Sequence, residues 1–158
     1  MTQVEPPGVE AVADSDFRQQ FAALCFSVTS GKTRVLLITS RGTGRWIVPK
    51  GWFVEGSTAA GSAAREAWEE AGVVGRIYDT CLGTYRYMKI EPKKADIPCR
   101  AQIFPVKVLS LKGDYPERHQ RRRKWFSPKK AAELVDEPEL AEILRRFDPG
   151  ALQPLGKS

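Results

Sequence analysis

The stretch from Arg45 to Val73 constrains this chain more than any other part of it. Arg45-Trp46-Ile47-Val48 has the pattern of a short apolar strand, stopped by Pro49. Lys50 to Gly56 then reads as a loop carrying Gly51 and Gly56 near its two ends. Ser57 to Ala71 follows as an alanine-rich helix, with Ser57 or Thr58 to cap its start and Gly72 placed for a left-handed residue after its end. A chain that runs from strand through glycine loop into helix this quickly needs a sheet on which to lay that helix. The economical architecture is α/β or α+β, a mixed sheet with one central helix and further helices near the C-terminus.

The flanking patterns agree. Phe21 to Ser30 and Thr33 to Ser40 read as two strands joined at Gly31-Lys32, a hairpin signal. Val73 to Ile90 holds one or two strands with Gly75 and Gly83 as breaks; Glu91 to Pro98 is a charged loop, and Arg100 to Leu109 another strand. Arg123 to Phe126 reads as a short edge strand leading to Ser127-Pro128, a helix start with proline at the first helical position. Helices are expected at about Pro128 to Val135 and Pro138 to Phe147.

The 158 residues suit one globular domain, expected over 17–148, with flexible tails at 1–16 and 149–158. No apolar run approaches the roughly 18 residues needed to cross a bilayer, and the first 16 residues mix proline with acid rather than forming a signal peptide. A cytoplasmic protein without a membrane partner is the expectation. Cys25, Cys81 and Cys99 lack metal-site spacing and are expected to pack in the core. The net charge of +6 is concentrated at Arg118, Arg121, Arg122, Arg123 and Lys124, with a smaller pair at Lys93 and Lys94. Such surfaces favour polyanions, whether nucleic acid, anionic membrane or a multiply phosphorylated small molecule.

The chemistry sits on the central helix. Glu66 and Glu70 are four residues apart and Glu66 and Glu69 three apart, so their carboxylates share one face. Like charges so placed disfavour an isolated helix by roughly 0.2–0.5 kcal/mol per pair. Two readings stand at this point. Either the face is a solvated acidic surface, partly neutralised by Arg65 and Arg76, or it holds a divalent cation of the oxygen-seeking kind, Mg²⁺ or Mn²⁺. The Pro49-Lys50-Gly51-Trp52 turn favours the second. Gly51 lets the backbone turn tightly enough to aim a carbonyl at a metal, and Lys50 can meet a phosphate there.

Gly51, Arg65-Glu66, Glu69-Glu70 and Gly72-Val73 together resemble the Nudix box in residue type and spacing, over 23 positions. The resemblance implies an α/β/α sandwich with a mixed sheet and hydrolysis of a phosphoanhydride bond. The family's glutamate between loop and helix is Ser57 here, with Glu55 two residues earlier. Ala23-Leu24-Cys25-Phe26, Val35-Leu36-Leu37, Arg45 to Pro49 and Arg123 to Phe126 are similar to the diphosphoinositol polyphosphate phosphohydrolase branch, although a basic residue expected near Gln20 is absent and the loop at Gly42 is about one residue short. That likeness implies Glu66 and Glu70 as metal ligands, with a main-chain carbonyl near Lys50 or Gly51, and Glu69 as the proton acceptor and a further candidate ligand. It implies Arg18, Ser40, Arg41, Arg100 and Arg121 at positions that hold substrate phosphates. Arg45, Lys50, Trp52 and Arg123 complete the candidate substrate-binding set, and Arg65 is expected to orient a glutamate through a salt bridge.

Arg121-Arg122-Arg123 has three readings on sequence alone: a phosphate clamp, a solvated basic strand, or a nucleic-acid surface using Trp125 and Phe126. His119 reads as a surface residue, and the tryptophans other than Trp52 as packing groups. The function expected is a metal-dependent pyrophosphohydrolase acting on a highly phosphorylated small molecule, a diphosphoinositol polyphosphate or dinucleoside polyphosphate first, as a monomer or homodimer. An RNA 5′-pyrophosphohydrolase and a catalytically idle module binding nucleotide or RNA are the alternatives.

Overall fold

The computed structural model describes residues 8–152. Its strands are β1 (Arg18–Thr29), β2 (Lys32–Thr39), β3 (Trp46–Ile47), β4 (Lys50–Gly51), β5 (Val73–Ile77), β6 (Gly83–Lys89), β7 (Ile97–Leu111) and β8 (Arg123–Phe126). The helices are α1 (Ala59–Ala71), α2 (Pro128–Leu134) and α3 (Pro138–Arg146). The strands form one mixed sheet with the path β3-β2-β1-β7-β5, to which β4 joins on β1, β6 on β7 and β8 on β2. β1 and β7 run parallel from Arg18↔Cys99 to Phe26↔Lys107, and the other pairs are antiparallel.

Alternation along these strands builds two cores. Phe21, Ala23, Cys25, Leu36 and Ile38 face α1 and meet its buried stripe Ala60, Ala63, Ala67 and Ala71. Ala22, Leu24, Phe26, Val35 and Leu37 face the other way, onto Tyr85, Ile103, Leu140 and Leu144, with α2 and α3 covering that side. The α/β/α layering implied by the family resemblance is the layering observed. The alanine stripe brings α1 close to the sheet, and its carboxylates line the flank of that contact.

Several local expectations change. The hairpin turns at Ser30-Gly31, one residue earlier than expected, because both have positive φ, 52° and 75°, as a two-residue turn with right-handed twist requires. α1 begins at Ala59 rather than Ser57, capped by Thr58, one of the two expected candidates, whose hydroxyl accepts from Gly61 N at 2.9 Å. Lys50-Gly51 is strand rather than loop, since Phe21↔Gly51 and Ala22↔Lys50 pair it with β1. Gly75 marks a bulge inside β5 instead of a break, and β7 extends beyond both expected ends. Cys25 and Cys99 are buried but Cys81 is exposed.

Parts of the two expected tails are among the described residues. Val9 is buried, and the Asp14 carbonyl accepts from Arg100 Nη2 at 3.4 Å, while most of residues 8–16 are exposed. At the other end Leu152 packs on the core beyond a 3-10 turn at Pro149–Ala151. The rest of both expected tails, 1–7 and 153–158, lies outside the described residues.

Candidate active site

β4 is two residues long, yet its pairing sets the geometry of the site. Ala23 N donates to the Pro49 carbonyl at 2.9 Å, fixing the chain as it enters β4. Opposite Phe21, Gly51 turns toward the α1 layer; opposite Ala22, Lys50 turns its side chain toward the α2–α3 layer. The Glu66 carboxylate lies directly against Gly51. A Cβ at that position would stand 2.3 Å from Glu66 Cδ and 2.5 and 2.6 Å from its two oxygens, so glycine is what lets the Glu66 carboxylate rest there. Beside it, Lys50 N donates to Glu70 Oε1 at 3.3 Å.

Two acidic side chains are thus held at one place, Glu66 half-buried and Glu70 buried. Burial, followed by the charges of Glu70, Glu69 and Glu117, pushes the Glu66 carboxyl up to about 8. Burial also raises Glu70, opposed by the charges of Arg121 and Lys50. A carboxyl pair that resists ionisation without a cation is a perturbed site of the kind that catalysis and metal binding use. Glu69 is drawn aside: its Oε2 accepts from Arg65 Nε at 2.7 Å, the helical pairing expected for that arginine.

Arg121 stands inside this site rather than on the surface. Only 7% of its side chain is exposed; it approaches Glu70 Oε2 at 3.5 Å, donates to Glu117 Oε1 at 2.8 Å and to the Thr39 carbonyl at 3.1 Å. Its guanidinium serves the protein's own acids, which removes it as a free phosphate clamp. Arg123 is likewise committed, donating to the Ala71 carbonyl at 2.7 Å and lying 4.8 Å over the Tyr115 ring, where it satisfies the C-terminal end of α1. Arg45 pairs with Asp136 at 3.3 Å and Glu137 at 3.4 Å.

The other candidate contacts lie around the rim. Ser40 shapes its own turn, its hydroxyl within 2.6 Å of Thr43 Oγ1 and accepting from Arg45 N at 2.9 Å. Arg41 is exposed and donates to Gln120, tying the Ser40 turn to the loop that carries Glu117. Arg18 and Arg100 share one end of the β1–β7 pairing, Arg18 exposed and Arg100 stacked 5.5 Å over Phe17. Lys50 Nζ lies 4.8 Å over the Tyr87 ring; burial pushes this ammonium below its ordinary value, against the pull of Glu70 and Glu137. Trp52 is exposed, as is Phe53 beside it, whose ring meets Phe21 edge-on. His119 is exposed. Ser57 is half-buried and Glu55 exposed on the loop before α1.

Glu117 is a site residue that no reading of the sequence singled out. Its N–H donates to the Glu69 carbonyl at 3.0 Å, so the loop before β8 is pinned to α1 and adds a further carboxylate. The only trace of it in sequence is the four-residue spacing to Arg121. Among the described residues, no three acidic, histidine or cysteine side chains converge as a finished ligand set. The donors nonetheless fit a hard divalent cation, which typically uses one or two carboxylates, keeps several waters and takes the rest of its shell from substrate phosphates. The carboxyl pair against Gly51 supplies oxygen donors that burial disfavours in their free ionised state.

The NUDIX domain family matches residues 18–147. Nudix hydrolase 12, mitochondrial, of Arabidopsis thaliana is 32% identical over 73% of this chain; the chain spans 59% of that relative's length. Diphosphoinositol polyphosphate phosphohydrolase 3-alpha of Mus musculus is 31% identical, covering 90% of this chain and 85% of its own. Among solved structures, the Ap4A hydrolase of C. elegans superposes with a TM-score of 0.59 at 21% identity, over 83% of this chain and 96% of that one. The dihydroneopterin triphosphate pyrophosphohydrolase of E. coli gives 0.60 at 19%, over 84% and 96%. With the family match running from the first strand to the last helix, this chain belongs to the Nudix family.

Proposed function

We propose that the protein is a divalent-metal-dependent pyrophosphohydrolase that cleaves a phosphoanhydride bond in a highly phosphorylated small molecule. The observation that carries this reading is the Glu66–Glu70 carboxyl pair held at β4, Glu66 directly against Gly51 and Glu70 on the Lys50 N–H. Glu66 and Glu70, with backbone at Lys50 or Gly51, would hold Mg²⁺ or Mn²⁺. Such an ion supplies charge against phosphate oxygens and makes water more acidic.

The chain's own residues do the rest. Glu69 accepts the proton from the attacking water, and Arg65 at 2.7 Å keeps its carboxylate oriented. Arg121 offsets the repulsion between Glu70 and Glu117, so both can stay close to the reacting phosphate. Exposed Arg18 and Arg41, with half-buried Lys50 and Arg100, form a cationic rim for the outer phosphates. A diphosphoinositol polyphosphate or a dinucleoside polyphosphate is the proposed substrate, in an aqueous, cytoplasmic setting. The RNA reading has less support, because Trp125 and Phe126 are half-buried against the two cores.

The test is phosphate release from a panel of such compounds with Mg²⁺ or Mn²⁺. Glu70→Gln should lower kcat by at least about 100-fold, with the circular dichroism spectrum unchanged. Unchanged turnover in that variant would rule out Glu70 as a metal-holding residue, and tight binding without release by the wild type would favour an idle binding module.

A further inference from the structure

The β1–β2 hairpin carries a hollow that the reaction above does not use. On β1, Ser27 and Thr29 continue the alternation of Phe21, Ala23 and Cys25; on β2, Lys32 and Arg34 continue that of Leu36 and Ile38. All four therefore sit on the α1 side of the sheet, past the apolar residues of that core. β8 adds Trp125, paired with Leu36 and half-buried against the same core. Together with Ser30 these residues line one open cavity of about 530 Å³. Proteins hold small molecules in cavities of roughly 300–1,000 Å³.

The chemistry of this hollow is one-sided. An acid opposite a cation on a neighbouring strand stabilises both, but Arg34 lies opposite Ser27 and Lys32 opposite Thr29, neutral hydroxyls in each case. Lys32 and Arg34 share one face of β2, roughly 7 Å apart, so their like charges stand side by side. No acidic residue lines the cavity, and among the described residues none of its side chains makes a hydrogen bond or ion pair within the protein. Arg45, Arg65, Arg86 and Arg121, by contrast, are each held by a carboxylate. Arginine grips phosphate oxygens through paired N–H bonds, lysine adds a point charge, and hydroxyls donate to the oxygens left over. The indole offers an apolar wall beside them. We propose that this hollow is a second, non-catalytic site for a small organic phosphate monoester, with the phosphate on Lys32, Arg34 and the hydroxyls and the carbon framework against Trp125. Ser27 lies roughly 20 Å along β1 from Phe21, the residue paired with Gly51, so the site holds a ligand apart from the one being cleaved.

The experiment is a ¹H–¹⁵N NMR titration of the whole chain with AMP, glycerol 3-phosphate and orthophosphate, in EDTA so that no divalent ion bridges phosphate to the acidic site. The Trp125 indole N–H, assigned by its loss in Trp125→Phe, should shift together with the amides from Ser27 to Arg34, and saturably. Both esters should bind there at least about threefold more tightly than orthophosphate. The tighter ester tells whether the natural ligand is a nucleotide or a polyol phosphate. Lys32→Ser/Arg34→Ser should weaken this binding at least about tenfold, while hydrolysis of the polyphosphate panel stays within about twofold of wild type. Both residues are exposed on the hairpin. Should the double variant not fold, Arg34→Lys decides: it keeps the charge, loses the fork, and should weaken binding at least about threefold. Shifts reproduced by sodium chloride at matched ionic strength, no shift at the indole, equal affinity for all three phosphates, or turnover that falls in the double variant would each overturn the proposal. So would tighter binding of a short single-stranded RNA than of AMP at the same amides, since the face would then be a nucleic-acid surface.

Discussion

At the scale of single residues, the site is a conflict between burial and charge. Gly51 shows the geometric half. Alanine there would set its methyl group on the Glu66 carboxyl carbon, so Gly51→Ala should displace Glu66 and lower turnover, at little cost to the fold because a flexible side-chain end gives way. A crystal structure of that variant with Glu66 in place and full activity retained would contradict the close contact between them. Glu66 shows the electrostatic half. Its folded value of about 8 lies above its ordinary 4.5, so the folded state holds a proton that the unfolded chain releases. Stability is therefore unaffected below about 4.5 and should fall as pH rises from there toward 8. Mg²⁺ or Mn²⁺ should stabilise most at the upper end, where no proton competes. Thermal melts across this window, with and without the ion, check the sign; a flat or rising metal-free curve would refute it.

At the scale of elements, α1 matters because both of its ends are fastened to the site. Thr58 holds the start, while Gly72, at φ 69°, turns the chain into β5, and Arg123 takes the last carbonyl. A Cβ on Gly72 would meet Tyr115, Arg123 and the Lys112 carbonyl at 2.6, 2.7 and 2.8 Å. Gly72→Ala should then cost roughly 1–3 kcal/mol, combining left-handed strain with crowding. Urea denaturation measures it, and a loss under about 0.5 kcal/mol would mean that the helix end relaxes freely. The glycine was legible in sequence as a helix stop; the arginine that crowds it was not, because sequence cannot show that β8 passes beneath the end of α1.

At the scale of the whole molecule, Arg121 joins three parts of the chain: Thr39 at the end of β2, Glu70 on α1 and Glu117 in the loop before β8. Removing one partner of a buried ion pair leaves the other charges uncompensated, so Arg121→Met should lose about 3–5 kcal/mol without metal. A divalent ion should restore more stability to this variant than to wild type, since it replaces the missing positive charge. Equal gains from Mg²⁺ in the two proteins, followed by calorimetry, would show that Arg121 is not coupled to the acidic site.

The sequence by itself determined the local parts of this protein: Gly51, the glutamates at three- and four-residue spacing, the alanine stripe, and the mixed sheet with helices on both sides. These are encoded by periodicity and by conformational limits within a few neighbouring residues. Arg65 with Glu69 was legible for the same reason, being one turn apart. Only the tertiary structure decided which charges are free. Arg121 and Arg123 read identically as members of a basic run, yet one is buried among acids and the other closes a helix end. Glu117 drew no attention in sequence until the fold brought its loop beside α1. Burial sets the energy of a charge, and burial depends on contacts between segments distant in sequence, which no local pattern contains.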